Sequence, residues 1–318
     1  MSDSDGRPRP ALKLPGANAL GTLLGSPKAQ LGFAIVMVFV LAAVFAAALA
    51  PGDPKKYVGR PNQPPSAQFL LGTNPQGKDV FRQLVWGSRL SLLIGFGSAV
   101  LMTLIAVVVG MVAGFYRGVV DDALNFVMNL FLVIPGLPLL VLLSAYLKPG
   151  TATIIFALAI TGWAFNGRII RAQTMSLREK DFVAAAVVSG EPGLSIIFVH
   201  ILPNMVNIIV GGFIGAVTYG IMASTGLAFL GLANTADVTW GTNLFWAQNG
   251  GALMIGAWWA FMPSGLAVAL VAFGLALINY GMDEITNPRL IAERNILRVL
   301  WKARLPLMRA TPVVPHEH

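Results

Sequence analysis

Six long stretches of this chain contain no Asp, Glu, Lys or Arg at all: residues 31–50, 90–115, 123–147, 150–167, 204–232 and 259–282. A helix needs about 20 apolar residues to cross a hydrocarbon core, and a charge at its centre costs ~2.5–3.5 kcal/mol on insertion scales. The pattern therefore predicts six transmembrane helices, and an all-α membrane protein is the expected fold class. Gly and Pro interrupt the stretches, as in Ile134-Pro135-Gly136-Leu137-Pro138. Such breakers survive in membranes where neighbouring groups satisfy the freed backbone.

Composition agrees. Of 318 residues 56% are hydrophobic and 11% charged, and the mean hydropathy is +0.71. A soluble domain carries about 25% charged residues. The net charge of +8 reads as membrane topology rather than as a nucleic-acid footprint, because Lys and Arg collect in cytoplasmic loops. With both termini inside, 15 of the 22 Lys and Arg fall on the cytoplasmic side. The six in segment 51–89 are the exception, and Lys78, Arg82 and Arg89 can snorkel from its approach to the second span. The expected organisation is a cytoplasmic N-terminal tail (1–30), a six-helix domain (31–290) with an external loop at 51–89, and a basic cytoplasmic tail (291–318). In that tail Arg294, Arg298 and Lys302 recur every four residues beside Leu297, Leu300, Trp301 and Leu305. This is the pattern of a basic amphipathic helix on the inner leaflet, or of a disordered basic tail. Trp240, Trp246, Trp258 and Trp259 are expected to form an interfacial belt.

Chemistry is sparse. There is no cysteine, and His200, His316 and His318 are too scattered for a metal site. No cofactor site and no catalytic cluster is expected. Residues 72–79, Gly-Thr-Asn-Pro-Gln-Gly-Lys-Asp, imitate a phosphate loop but end in Asp79, where Mg²⁺ coordination requires Ser or Thr. This chain is not expected to hydrolyse ATP.

The segment between the fourth and fifth stretches carries the most information. Ser176 and Glu179 have the spacing of a capping box, which predicts a helix starting there, with Asp181 favoured by the dipole. Gly190 and Pro192-Gly193 should end it. Phe182, Ala185, Ala186 and Ser189 would share one helical face, an aromatic anchor followed by small residues.

In its residues this segment resembles the coupling loop of ABC-importer permeases, whose pattern is Glu-Ala-Ala, three residues, Gly, nine residues, Ile, any residue, Leu-Pro. Ala185, Ala186, Gly190, Leu202 and Pro203 match; Ala184 replaces the Glu and His200 the Ile. The run His200 to Asn204 is similar to the dipeptide/oligopeptide (and nickel) branch. So are Leu71 to Asn74 with Gly77 to Val80, Gly87 to Leu92, and Leu227 to Leu232 followed by Trp240-Gly241. Asp283 to Leu290 resembles the ending of the second (C-type) permease subunit, with Asn279-Tyr280 in place of a Gly-Asp.

The resemblance implies a type I ABC-importer transmembrane domain with a cytoplasmic coupling helix in the plasma (inner) membrane of a bacterium. It implies four kinds of partner: a second homologous permease, two ATPase subunits that bind ATP and Mg²⁺, an external solute-binding protein, and membrane lipid. The coupling-site residues implied are Phe182, Ala184, Ala185, Ala186, Ser189, Gly190, His200, Leu202 and Pro203. Glu179 or Glu191 could supply the charge that Ala184 lacks. A stand-alone secondary transporter or channel is the alternative, but such carriers usually hold ionisable groups within the membrane.

Overall fold

The computed structural model describes residues 26–148 and 150–286, with side chains to Met282. The C-terminal tail with its basic repeat, the end of the closing motif at 287–290, and residues 1–25 of the N-terminal tail lie outside the described residues. Helix α1 (Pro27–Val44) is followed by a single turn, α2 (Ala46–Leu49). Then come α3 (Val80–Tyr116), α4 (Gly118–Val133), α5 (Gly136–Tyr146), α6 (Thr151–Arg178), α7 (Asp181–Val188), α8 (Val206–Phe229), α9 (Trp240–Asn249) and α10 (Met262–Thr286). Among the described residues there is no β-strand, only isolated bridges at Tyr57–Lys78 and Thr73–Asp79.

Five of these helical runs are long and apolar enough to cross a bilayer. The expected third span, 123–147, is instead two helices, α4 and α5, bent by 87°. Pro135 explains the break: it has no N–H to give, and it pushes Ile134 out of the helical region, to ψ 124°. Counting this bent pair as one span gives six. The second and fourth spans also outrun their uncharged cores. Helix α3 starts ten residues early at Val80, where the Asp79 carboxylate accepts from Phe81 N at 2.9 Å and Arg82 N at 3.3 Å. Helix α6 runs on through Arg168 and Arg171 to Arg178.

Without a hydrophobic driving force between helices in lipid, close backbone approach holds such bundles together. Helices α3 and α6 meet at Gly110 and Gly114. A Cβ on Gly110 would lie 2.6 Å from the Gly167 carbonyl, and one on Gly114 2.7 Å from that of Arg171. Helix α1 closes on α10 in the same way at Gly32, where a Cβ would lie 2.4 Å from the Gly274 carbonyl.

The phosphate-loop look-alike is a structural turn. The Asn74 side-chain oxygen accepts from Gln76 N and Lys78 N, both at 2.9 Å, its amide donates to Gln83 Oε1, and Asp79 caps α3. One member of the expected tryptophan belt is internal and two are half-buried. Trp240 is fully buried, its indole donating to the Leu84 carbonyl at 3.2 Å and its ring edge-on to Phe39. Trp246 and Trp259 donate to the carbonyls of Thr235 and Thr73. Of the four, only Trp258 is exposed, at 54%.

Candidate functional site

The segment between α6 and α8 folds as a short helix on an irregular joint. No capping box forms at Ser176. Helix α6 passes straight through that position, and α7 starts five residues later with Lys180 as its uncapped N-cap. Glu179, the other half of the expected box, instead meets Arg117 at 2.7 Å across the α3–α4 junction. That long-range ion pair competes with the local bond, and a continuous α6 leaves nothing there to cap.

Helix α7 ends where the sequence says it should. Gly190 adopts φ +78°. Its N–H donates to Val187 O at 3.0 Å and the Glu191 N–H to Ala186 O at 3.2 Å, the paired bonds of a left-handed helix stop. The inward face of α7, however, is Val183 and Ala186, packed with Ala106, Met111, Ile170, Ile196, Ile197, Ile201 and Met205. Phe182, Ala184, Ala185 and Ser189 point outward. The expected face is therefore split, with Ala186 alone turned in. With Val187 and Val188 it leaves an exposed surface of apolar and small groups, Val188 at 89%.

From α7 the chain reaches α8 through a π-helical turn, Ile196–Ile201, and a 3₁₀ turn, Leu202–Met205. Pro203 removes one helical donor, and the Asn204 amide donates to the His200 carbonyl at 2.7 Å in partial replacement. Glu191 gathers the joint, its Oε2 lying 3.0 Å from His200 Nε2 and 3.3 Å from Ser195 Oγ. Both carboxylates that could substitute for the missing Glu are thus already paired within the chain. Leu202 is half-buried and Pro203 exposed.

Above this joint lies a cavity of about 670 Å³. Helix α3 contributes Met102 and Thr103, the α4–α5 break contributes Phe131, Leu132, Ile134 and Gly136, and α6 contributes Thr161 to Ile170 on one face. Helix α8 contributes Asn207, Gly211, Gly215 and Tyr219 at four-residue intervals, and α10 contributes Asn279 and Met282. Every described lining residue is uncharged. The sequence reading missed this set. Its one signal was the spacing of Asn207, Gly211, Gly215 and Tyr219, a polar-ended stripe of small residues on a single helical face. Helices α4 and α6 are clasped beside it by a bidentate pair, Arg171 Nε and Nη2 on the Asp121 carboxylate at 2.5 and 2.7 Å. Among the described residues no group of three or more His, Cys, Asp or Glu is placed to hold a metal ion.

Known proteins share these sequences at length. Residues 106–292 match the family described as the binding-protein-dependent transport system inner membrane component. The oligopeptide transport system permease protein OppC of Bacillus subtilis is 31% identical over 265 residues, 82% of this chain and 86% of the relative. The dipeptide transport system permease protein DppC of the same organism is 30% identical over 292 residues, 91% and 90% of the two chains. OppC of Mycobacterium bovis is 34% identical over 240 residues, 74% and 80% of the two. The matched stretch begins in the last third of α3 and takes in the broken span, the α7 joint and the cavity residues of α4, α5, α6, α8 and α10. Five long apolar helices and one bent pair, helix contacts through glycine, and this extent of identity lead to one assignment: the chain belongs to the family of binding-protein-dependent transport system inner membrane components, with the type I ABC-importer permease fold.

Proposed function

We propose that this chain is the second (C-type) transmembrane subunit of an ATP-binding-cassette importer that moves peptides across a bacterial inner membrane, with both termini cytoplasmic. Helix α7 is its docking element. Two separate ATPase subunits bind ATP and Mg²⁺, a second homologous permease completes the pathway, and an external solute-binding protein delivers the peptide. The permease itself performs no chemistry.

The observation that carries this reading is the mechanical continuity from α7 to the cavity. Val183 and Ala186 anchor α7 between α3 and α6, its apolar outer face is free to meet a partner, and the π/3₁₀ joint leads directly into the cavity-lining helix α8. An ATPase that binds α7 differently in its open and closed states biases the helices behind it, which is all a conformational switch requires. The names of the relatives support the peptide cargo.

The test is ATP-dependent peptide uptake by the four-subunit complex and its binding protein in vesicles. Val188→Asp places a charge on the outermost apolar group of α7 while Val183 and Ala186 keep their packing. It should lower uptake at least tenfold and weaken co-purification of the ATPases, with the thermal midpoint of the permease unchanged. Uptake at the original rate, or transport by the purified chain alone down an ion gradient, would overturn the proposal.

A further inference from the structure

Three carboxamides and a phenol are the principal polar groups of the cavity wall: Asn166 on α6, Asn207 and Tyr219 on α8, and Asn279 on α10. Their hydrogen-bonding capacity is mostly unspent. The Asn166 amide donates once, to the Gly212 carbonyl at 3.1 Å. The side chains of Asn207, Tyr219 and Asn279 form no hydrogen bond with any described residue. Between Asn207 and Tyr219 the wall includes the bare backbone of Gly211, Gly212 and Gly215, beside Ile208, Ile209 and Ala216. A Cβ at Gly215 would meet nothing within 4 Å, and one at Gly211 would meet only Asn279 Oδ1, at 3.3 Å. Twelve residues of helix separate the two polar ends, about 18 Å, the reach of roughly five extended residues.

We propose that this wall reads the main chain of a passing peptide through Asn207, Asn279, Asn166 and Tyr219, and is indifferent to its side chains. Each peptide unit offers one N–H and one C=O whatever its side chain. A carboxamide is the side chain that can answer both, having two donors and an acceptor. A charged lining would instead sort acidic from basic cargo, since a desolvated pair of like charges is strongly disfavoured. The bare floor at Gly211 and Gly215 gives the main chain its close approach, and side chains of any size project away from it. The inference rests on the transport function proposed above and adds the class of chemical group that the path recognises.

The complete complex in vesicles tests it with tripeptides Ala-X-Ala, where X is Ala, Glu, Lys or Phe, and with an analogue in which one amide N–H is replaced by an ester oxygen. The binding protein is held constant, so any change between wild type and variant belongs to the permease. Asn207→Leu and Asn279→Leu should each slow uptake about fivefold, the worth of one net hydrogen bond, and by the same factor for every X. In the variants the amide-to-ester preference should shrink by a similar factor, and Asn→Gln at either site should restore it. An unchanged amide-to-ester ratio, or losses that differ with X by more than tenfold, would overturn the inference. Should the leucine variants fail to assemble, Asn279→Asp decides: it should make the path favour X = Lys over X = Glu by about fivefold, the upper magnitude of a solvated charge pair, and no shift would refute the assignment. A wild-type complex that takes up no peptide sinks the proposed function itself; uptake unaffected by the asparagines sinks this inference alone.

Discussion

Gly190 shows how one residue can be both a sequence signature and a geometric necessity. At φ +78° an L side chain costs about 1 kcal/mol or more, whereas no atom lies near enough to clash with a Cβ. Gly190→Ala should therefore weaken the end of α7 through backbone strain alone, and Gly190→Asn should do so less, because Asn tolerates the left-handed region. Amide hydrogen exchange at Ser189 to Glu191 would read this directly: faster exchange in the order Ala, Asn, Gly is expected. Equal exchange in all three would mean that the turn does not depend on glycine. Trp240 makes a related point about polar handles. Its indole N–H and backbone N–H reach the Leu84 carbonyl and the Ser91 hydroxyl, 3.2 and 3.0 Å away, which draws the ring inside instead of leaving it at the membrane interface. Trp240→Phe keeps an aromatic ring but loses the indole hydrogen bond and part of the buried surface, and it should lower stability by about 1–2 kcal/mol in detergent-solubilised protein.

Glycine contacts and the Arg171–Asp121 clasp are among the devices that join helices here. The clasp ties α4, one half of the span broken at Pro135, to the long α6. Its side chains are only 21% and 10% exposed, so loss of one partner leaves a largely desolvated charge. Asp121→Ala should cost about 3 kcal/mol, and adding Arg171→Met should recover most of that loss, since removing both charges also removes the desolvation penalty. Thermal midpoints of the two variants would show it; a double variant as unstable as the single one would mean that packing, not charge, fails. At this scale the sequence was only partly legible. The uncharged runs announce their helices because the hydrocarbon penalty is local and can be read one window at a time. The end of α7 is equally plain, because Gly190 and Pro192 act on their own neighbours. The start of α7 is not, since Glu179 was claimed by Arg117, 62 residues away. One member of the expected α7 face was hidden for the same reason: Ala186 turns inward with Val183 because α3 and α6 offer Ala106, Met111 and Ile170 as partners, while Phe182, Ala185 and Ser189 stay exposed. Distance along the chain hid both answers.

The cavity exists only at the scale of the whole molecule. Asn166, Asn207 and Asn279 come from three helices, and nothing in any one of them fixes how it is rotated against the others. That rotation is set by close glycine contacts elsewhere, such as Gly110 and Gly114 against α6 and Gly32 against α10. Gly215 is different in kind: it approaches nothing, so its lack of a side chain serves the empty space and not the packing. Gly215→Trp should therefore separate folding from transport. Replacing an exposed helical glycine gains up to about 1 kcal/mol of helix propensity, so the thermal midpoint should hold or rise. The indole would project into the cavity between Asn207 and Tyr219, across the floor on which a peptide must lie. Uptake by the reconstituted complex should drop to less than about a tenth of the wild-type rate for every peptide, large or small, because a ring of that size removes the approach surface itself. Gly226 supplies the comparison, since it lies on the same helix, also meets nothing within 4 Å, and does not line the cavity. Gly226→Trp should leave uptake near normal. If both variants transport alike, the path runs elsewhere and the cavity is an incidental space between helices.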